Sequence, residues 1–210
     1  MMNAPDNEYP RLYVLAGGAS SRFGSDKALA EVDGVPLVRR VIEGLSARLW
    51  PEPANQHDRA TLVTGAYERY KHLGYTAITD RPHGVGPIGG LSAALNHRLN
   101  SIGPGWVLLA SCDLVQPTQD WITPLLVCLD TDSARAIAYR GDCWEPMLAL
   151  YHTALLPIVE QHIEQKRYAM RSLLKVATTA SVPLPPGYTC LPQANTPDQL
   201  HDALQQQGVA

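Results

Sequence analysis

The sequence lacks the features that define several large classes of protein. No apolar run approaches the ~18 residues of a membrane span, and the polar stretch from Met1 to Pro10 is unlike a secretory signal. The net charge is −3, so the chain lacks the excess of positive charge that is typical of proteins that bind duplex nucleic acid. The four cysteines form no close pair of the kind that zinc knuckles and redox motifs need; they are Cys112, Cys128, Cys143 and Cys190. We therefore expect isolated thiols in a reducing cytoplasm, and neither a membrane nor a nucleic-acid partner.

Several familiar catalytic and phosphate-binding motifs are also missing. The G-x-x-x-x-G-K-[ST] run of a Walker A loop does not occur. The dinucleotide fingerprint G-x-G-x-x-G fails because Gly17 and Gly18 are adjacent and Gly24 is distant. The chain offers no H-E-x-x-H motif and no Ser-His-Asp or Cys-His arrangement. Catalysis by this chain would therefore depend on positioning and electrostatics rather than on a general base of these kinds.

The pattern of hydrophobicity predicts an α/β protein. Short apolar runs alternate with amphipathic stretches over a length of 210 residues, which suits one domain with a mostly parallel central sheet and helices on both faces. Strands are predicted over residues 12–16, 61–64, 75–79, 106–111, 134–139 and 147–151, with a last small strand after the prolines at 183–186. Helices are predicted from Pro36, from Gly86-Pro87 (burying Ile88, Leu91, Leu95 and Leu99), after Thr118, around 155–163, over 171–176 and from Thr196-Pro197.

The most informative segment runs from Leu15 to Lys27 and reads LAGGASSRFGSDK. A short apolar run delivers the backbone into a loop that contains three glycines, three serines, an arginine and a lysine. Glycines let main-chain N–H groups approach an anion without a Cβ in the way. Arg22 and Lys27 add fixed positive charge. The segment predicts a phosphate cradle, and the alternative is an ordinary glycine- and serine-rich turn between a strand and a helix.

Two acidic residues, Asp80 and Asp113, follow predicted strands directly. The carboxyl ends of parallel strands share one edge of a sheet, so both acids and the glycine loop would surround one ligand there. A carboxylate at Asp113 that faces triphosphate oxygens needs an intervening cation, and Mg²⁺ binds one or two carboxylates together with substrate phosphates. The alternatives are that Asp113 only begins the next helix and that Asp80 only forms a turn.

A second glycine-rich segment, from Gly84 to Leu91, leads into a predicted helix. Amides at the start of that helix would contact an anion or a nucleobase. The alternative is that these glycines only allow the helix to pack closely on the sheet.

These residue types suit nucleotidyl transfer, which needs a nucleophile, an oriented α-phosphate and charge neutralisation. A phosphate monoester has a second pKa of about 6, so it is largely a dianion at neutral pH and requires no general base. Arg22, Lys27 and Asp113 are the candidate catalytic residues. They would offset the charge that develops between the α- and β-phosphates, Asp113 acting through Mg²⁺.

The segments described above, together with several others, resemble those of a known family. The full set is 15–27, 29–37, Asp80 with 86–89, Cys112-Asp113, 145–151, 171–174 and 195–200. The chain resembles the bacterial molybdenum cofactor guanylyltransferases across nearly its whole length. The resemblance implies a single-domain, Rossmann-like nucleotidyltransferase fold over residues 1–210. It comprises an N-terminal extension (1–10), a nucleotide-binding half (about 11–115) and an acceptor-binding half (about 116–204).

The resemblance also implies the reaction and its site. GMP would pass from GTP to the terminal phosphate of molybdenum-molybdopterin, with release of pyrophosphate; cofactor-delivery proteins or apo-molybdoenzymes are further candidate partners. GTP contacts are implied at Leu15, Ala16, Gly17, Gly18, Lys27, Asp80 and Asp113, with Asp113 also binding Mg²⁺. The chain departs from the family pattern at Phe23 (usually Met), at Leu114-Val115 (where a Pro often occurs) and at Thr64 (often Asn).

Alternative functions remain open at this point. A cytidylyltransferase for the same cofactor and a sugar-phosphate nucleotidyltransferase would keep the fold and the release of pyrophosphate. A nucleotide-binding module without catalysis is a further alternative, although mere binding would not require the metal carboxylate.

Overall fold

The computed structural model describes residues 9–17, 26–49, 60–115, 119–131 and 133–205. Its strands are β1 (Arg11–Leu15), β2 (Glu31–Val32), β3 (Val35–Pro36), β4 (Ala60–Val63), β5 (Thr76–Ile78), β6 (Trp106–Ser111), β7 (Ala136–Arg140), β8 (Trp144–His152) and β9 (Thr179–Pro183). Its α-helices are α1 (Leu37–Leu49), α2 (Tyr67–Tyr70), α3 (Pro87–Ser101), α4 (Gln119–Val127), α5 (Leu156–Glu164), α6 (Met170–Val176) and α7 (Pro197–Gln205). Short 3-10 helices occur at Lys27–Leu29, Lys71–Leu73, Cys128–Asp130 and Thr153–Leu155.

The central sheet has the strand order β5-β4-β1-β6-β8-β7-β9 within the described residues. Strands β5, β4, β1 and β6 pair in parallel, and so do β7 and β9. Strand β8 pairs antiparallel with both β6 and β7. The predicted mostly parallel sheet is confirmed.

Helices cover both faces of this sheet, as predicted. In β1, Leu12 and Val14 pack into one apolar cluster with α1 and α4, while Tyr13 packs into a second cluster with α3, α5 and α6. Strand β6 divides in the same way, with Leu108 on the first face and Leu109 on the second. Burial on both faces explains why these strands are nearly continuous apolar runs in the sequence.

Helix α3 corrects one prediction about the core. Ile88, Leu91 and Leu95 are buried as expected, but Leu99 is 37% exposed. Arg98 occupies the buried position in the last turn instead, and its Nη1 donates a hydrogen bond to the Gly103 carbonyl at 2.7 Å. The buried guanidinium thus bonds to the segment just beyond the helix, a role that a hydrophobic pattern does not reveal.

The prediction of a last small strand after the prolines at 183–186 is wrong. The strand, β9, ends at Pro183 and pairs with β7, and beyond Pro186 the described chain makes only an isolated bridge between Gln193 and Leu114. Along β9 only Val182 is buried, so the apolar pattern is weak. The β2–β3 hairpin was not predicted; its turn places Asp33 and Gly34 at φ of 53° and 74°, which is typical of a tight two-residue hairpin.

The strand order reverses next to β1. The chain leaves β1 and adds β4 and β5 on one side, then returns through α3 to place β6 on the other side. In open α/β sheets, ligands bind outside the carboxyl ends of the strands at such a reversal. The fold therefore directs attention to the segments that follow Leu15 and Ser111. No helix in the described ranges combines the length and the apolar character needed to cross a membrane.

Candidate functional site

A cleft of about 870 Å³ opens at the carboxyl ends of β1 and β6. Six of the residues that the sequence nominated line it together: Leu15, Ala16, Gly17, Lys27, Asp80 and Asp113. Gly18 and Arg22, which were also nominated, lie outside the described residues. The expectation that residues after separate strands share one edge is therefore confirmed for the residues that the structure describes.

Lys27 and Asp113 form the charged centre of this cleft. The Lys27 Nζ lies 3.0 Å from Asp113 Oδ2 and donates a second hydrogen bond to Asn195 Oδ1 at 3.2 Å. The two charged side chains are only 11% and 19% exposed. A largely buried ion pair is expensive to dehydrate, so it is expected where the charges have a function.

The other carboxylate oxygen of Asp113 has its own donors. The Ser111 hydroxyl and the Gln193 side-chain amide both donate to Oδ1, the latter at 3.1 Å. The Ala194 amide also donates to the main-chain carbonyl of Asp113 at 3.0 Å. The carboxylate is thus oriented by a neighbour in β6 and by a segment near the C-terminus.

Asn195 and Gln193 are site residues to which the sequence analysis assigned no role. Asn195 immediately precedes the Thr196-Pro197 start of α7, where its own amide donates to Gln199 Oε1 and the Thr196 hydroxyl accepts from the Gln199 amide. This reciprocal capping fixes the segment that presents Asn195 to Lys27. The sequence signal that could have identified Asn195 is its position as a polar residue directly before a strong helix start, Thr196-Pro197.

The second glycine-rich segment lines the cleft with two of its glycines and packs closely with two others, while its predicted contact with an anion or a nucleobase stays a prediction. Gly84 and Gly86 line the cleft with φ of 75° and 77°, a conformation that favours glycine. Gly89 and Gly90 instead allow close packing, because a Cβ there would lie 2.6 Å from the Pro82 carbonyl oxygen and 2.5 Å from Leu15 Cδ2, respectively.

Gly17 and Thr64 are matched in shape at the back of the cleft. Gly17 has a φ of 109°, and a Cβ on it would lie 3.3 Å from Thr64 Oγ1. The Thr64 hydroxyl accepts a hydrogen bond from the Ala66 amide at 3.1 Å and is buried. A larger side chain at residue 17 would therefore both strain the backbone and displace Thr64.

Asp80 follows β5 and lines the same cleft as Lys27. Its Oδ1 is 3.1 Å from His83 Nδ1, and the two side chains are 27% and 66% exposed. Asp80 therefore lines the cleft with an exposed partner, and its role as a ligand contact stays a prediction.

Cys112, between Ser111 and Asp113, has a thiol of low reactivity. Burial, together with the Asp113 carboxylate, raises the pKa of its thiol to about 12. The thiol is neutral at physiological pH and is therefore a poor nucleophile and a poor metal ligand.

A second cavity of about 400 Å³ lies between the start of β8 and helix α6. Three cationic side chains line it, and they are Arg140, Arg171 and Lys175. The Arg140 guanidinium stacks 5.0 Å from the centre of the Trp144 ring, and Arg171 Nε donates to the Trp144 carbonyl at 3.0 Å. Burial raises the pKa of the adjacent Glu145, which lies 3.9 Å from Arg171.

Comparison with known proteins agrees with this arrangement. The family model described as the MobA-like NTP transferase domain matches residues 12–182. The chain is 40% identical over 147 residues to the probable molybdenum cofactor guanylyltransferase of Deinococcus radiodurans, covering 70% of this chain and 69% of the relative. It is 31% identical over 188 residues to the molybdenum cofactor guanylyltransferase of Vibrio parahaemolyticus, covering 89% and 91%.

Among solved structures, the fold is similar to molybdopterin-guanine dinucleotide biosynthesis protein A from Archaeoglobus fulgidus. The TM-score is 0.73 with 23% identity, over 95% of this chain and 99% of that one. The family match and the fold define a nucleotidyltransferase. The chain belongs to the MobA-like NTP transferase family.

Proposed function

We propose that this protein transfers GMP from GTP to the terminal phosphate of molybdopterin that carries molybdenum, and releases pyrophosphate. The observation that carries the proposal is the convergence of Lys27, Asp80 and Asp113 on the cleft at the carboxyl ends of β1 and β6. The names of the relatives supply the guanine base and the molybdopterin acceptor.

In the proposed reaction an oxygen of the acceptor phosphate bonds to the α-phosphorus of GTP. The bond from that phosphorus to the oxygen leading to the β-phosphate breaks, and pyrophosphate leaves. The acceptor is already a dianion at neutral pH, so the chain needs no general base. Lys27 and the amides around Gly17 supply positive charge and hydrogen bonds to the phosphates. Arg22 is proposed as a further cation in the same role.

The acceptor would lie on the side of the cleft formed by β8, in the half proposed to span residues 116–204. Met147 in this strand lines the first cleft, and Trp144, three residues earlier in the same strand, lines the second cavity. Arg140, Arg171 and Lys175 outnumber the acidic Asp142 in the lining of the second cavity, which leaves the net positive charge that a phosphorylated acceptor needs. The Trp144 side chain adds an aromatic wall for a ring system.

The donor set suits Mg²⁺. The described residues contain no cluster of three or more His, Cys, Asp or Glu side chains, but Mg²⁺ needs only one or two protein carboxylates when phosphates and water complete its shell. Asp113 would hold the ion, because its carboxylate lines the cleft beside Lys27. When bound, Mg²⁺ would neutralise charge on the phosphates.

The test is a reconstituted assay with the purified full chain, Mg²⁺, molybdenum-loaded molybdopterin and each of the four nucleoside triphosphates in turn. We expect pyrophosphate release with GTP, and a guanylylated product by mass spectrometry. Asp113→Asn should lower the rate by at least about 100-fold. Asp130→Asn, which changes an exposed acid outside the cleft, should leave it unchanged.

Two results would contradict the proposal in different ways. Turnover with CTP in place of GTP would keep the reaction but change the base, which is the cytidylyltransferase alternative. Full activity in Asp113→Asn would remove Asp113 from the mechanism.

A further inference from the structure

Asp26, the residue before Lys27, is held by two side chains from helix α2. The Tyr70 hydroxyl donates to Asp26 Oδ2 at 2.7 Å, and Arg69 Nη1 donates to the same oxygen at 2.8 Å. The other oxygen, Oδ1, accepts a hydrogen bond from the Ala28 amide at 3.1 Å. We call Asp26, Arg69 and Tyr70 the clamp.

The clamp is mostly shielded from water. The Asp26 side chain is 11% exposed and Tyr70 is 1% exposed, whereas the Arg69 side chain is 57% exposed. Burial and the neighbouring Asp26 carboxylate both raise the pKa of Tyr70, so its hydroxyl keeps its proton and remains a donor. A hydrogen bond to a charged acceptor in this environment is stronger than an ordinary one.

The clamp lies where it can control Lys27. Asp26 caps the 3-10 helix Lys27–Leu29, and Lys27 then reaches both Asp113 and Asn195. Any displacement of Asp26 is passed through one peptide unit to Lys27. Lys27 Nζ lies 3.0 Å from Asp113 Oδ2, so even a small displacement of Lys27 would weaken this contact.

The same hydroxyl also lies near Gly17, on the other side of the glycine-rich segment. A Cβ on Gly17 would lie 3.9 Å from the Tyr70 oxygen. Gly17 and Asp26 flank residues 18–25 in the sequence, so the Tyr70 hydroxyl bonds to one of these two residues and lies near the other.

We propose that Tyr70 and Arg69 are positioning residues for nucleotidyl transfer, which act by holding Asp26 so that Lys27 meets the triphosphate of the substrate. Neither side chain is proposed to touch the substrate. The inference rests on the proposed function only in assigning the triphosphate to Lys27; the contacts of the clamp itself do not depend on which base or acceptor is used.

The first test measures nucleotide affinity in three variants. Tyr70→Phe removes only the hydroxyl, and Arg69→Met removes only one cation. Each should weaken the binding of GTP by about tenfold, and Arg69→Lys should recover most of that loss. Lys71→Met is the matched control, because it removes a cation two residues away, 65% exposed, whose ion-pair partner is Glu68 and not Asp26. It should leave the affinity unchanged.

The second test asks whether Tyr70 acts through Lys27. Tyr70→Phe is introduced into the Lys27→Met protein, and GTP affinity is measured by calorimetry. If the clamp works by placing Lys27, the tenfold loss should shrink to less than twofold, because the side chain it positions is gone. An equal loss in both backgrounds, or no loss in either, would overturn the proposal.

A third measurement needs no nucleotide and so separates the clamp from the proposed function. The energetic coupling between Lys27 and Asp113 is measured by urea unfolding of the single and double variants, with Tyr70 present and with Phe in its place. We expect Tyr70→Phe to reduce the coupling to less than half. An unchanged coupling would refute the clamp even if the enzyme used another substrate, and Arg69→Met provides the same test if Tyr70→Phe folds poorly.

Discussion

The ion pair between Lys27 and Asp113 gives a stability prediction that can be calculated before any substrate is available. The perturbations are Lys27→Met, which keeps the length of the side chain and removes its charge, and Asp113→Asn, which keeps the shape. In Lys27→Met the Asp113 carboxylate still accepts hydrogen bonds from Ser111 and Gln193. Each variant therefore removes the pair without emptying its surroundings.

The magnitude follows from the distance and the exposure of the pair. At 3.0 Å an effective dielectric constant of about 20 gives an attraction of roughly 5 kcal/mol. Both side chains are mostly buried, so the cost of removing them from water cancels much of that attraction. We expect a net coupling free energy of about 1–3 kcal/mol between the two residues.

The assay is urea unfolding of the wild type, both single variants and the double variant, without nucleotide. Arg40 and Asp33, a more exposed pair 3.8 Å apart whose side chains are 32% and 88% exposed, serve as the control and should couple by less than about 0.5 kcal/mol. Additive effects of Lys27→Met and Asp113→Asn, within about 0.5 kcal/mol, would refute the reasoning. The result would mean that Lys27 does not pair with Asp113 in the unliganded protein.

Three further predictions concern other parts of the chain. Cys112, whose thiol pKa is raised to about 12, should be alkylated by iodoacetamide far more slowly at pH 8 than exposed Cys190, as peptide mass spectrometry would show; equal rates would contradict its burial. Gly89→Ala should destabilise the fold by about 1–3 kcal/mol, measured by denaturation, because the new Cβ meets the Pro82 carbonyl; a stabilised variant would contradict the packing. Burial raises the pKa of Glu145, so ionisation of this side chain opposes folding, and its own contribution to stability should fall as pH rises above about 4.3. Urea unfolding of Glu145→Gln should lack that decline, and parallel pH profiles would contradict it.

The parts of the fold that the sequence predicted are those that local chemistry determines. Strand β6 was predicted with its observed bounds, 106–111, because burial on both faces requires an uninterrupted apolar run. Helix α3 was predicted from its Gly86-Pro87 start for an equally local reason, since proline is favoured in the first turn. The nominated residues Gly17, Asp80 and Asp113 meet at one cleft because each follows a parallel strand.

The parts that could not be predicted depend on contacts between distant segments. Asn195 reaches Lys27 across 168 positions, and nothing near residue 195 in the sequence specifies that partner. Asp26 looked like part of a loop motif, but its role depends on Arg69 and Tyr70, which follow strand β4. Weak edge strands such as β9 were missed for a related reason, because pairing with β7 rather than an apolar pattern makes them strands.

The unequal partners of the two Asp113 oxygens explain how a buried Lys27 can still serve a substrate. Under the proposed function, Lys27 would exchange one anionic partner for another when a triphosphate arrives, and leaving a buried carboxylate unpaired would oppose that exchange. Oδ1 keeps the hydroxyl of Ser111 and the amide of Gln193 whatever Lys27 does, so only Oδ2 loses a donor. Asn195 offers Lys27 a neutral partner that costs less to give up than a second carboxylate would. The donors around Asp113 therefore favour the release of Lys27, which would reconcile its ion pair with the phosphate-binding role that we propose for it.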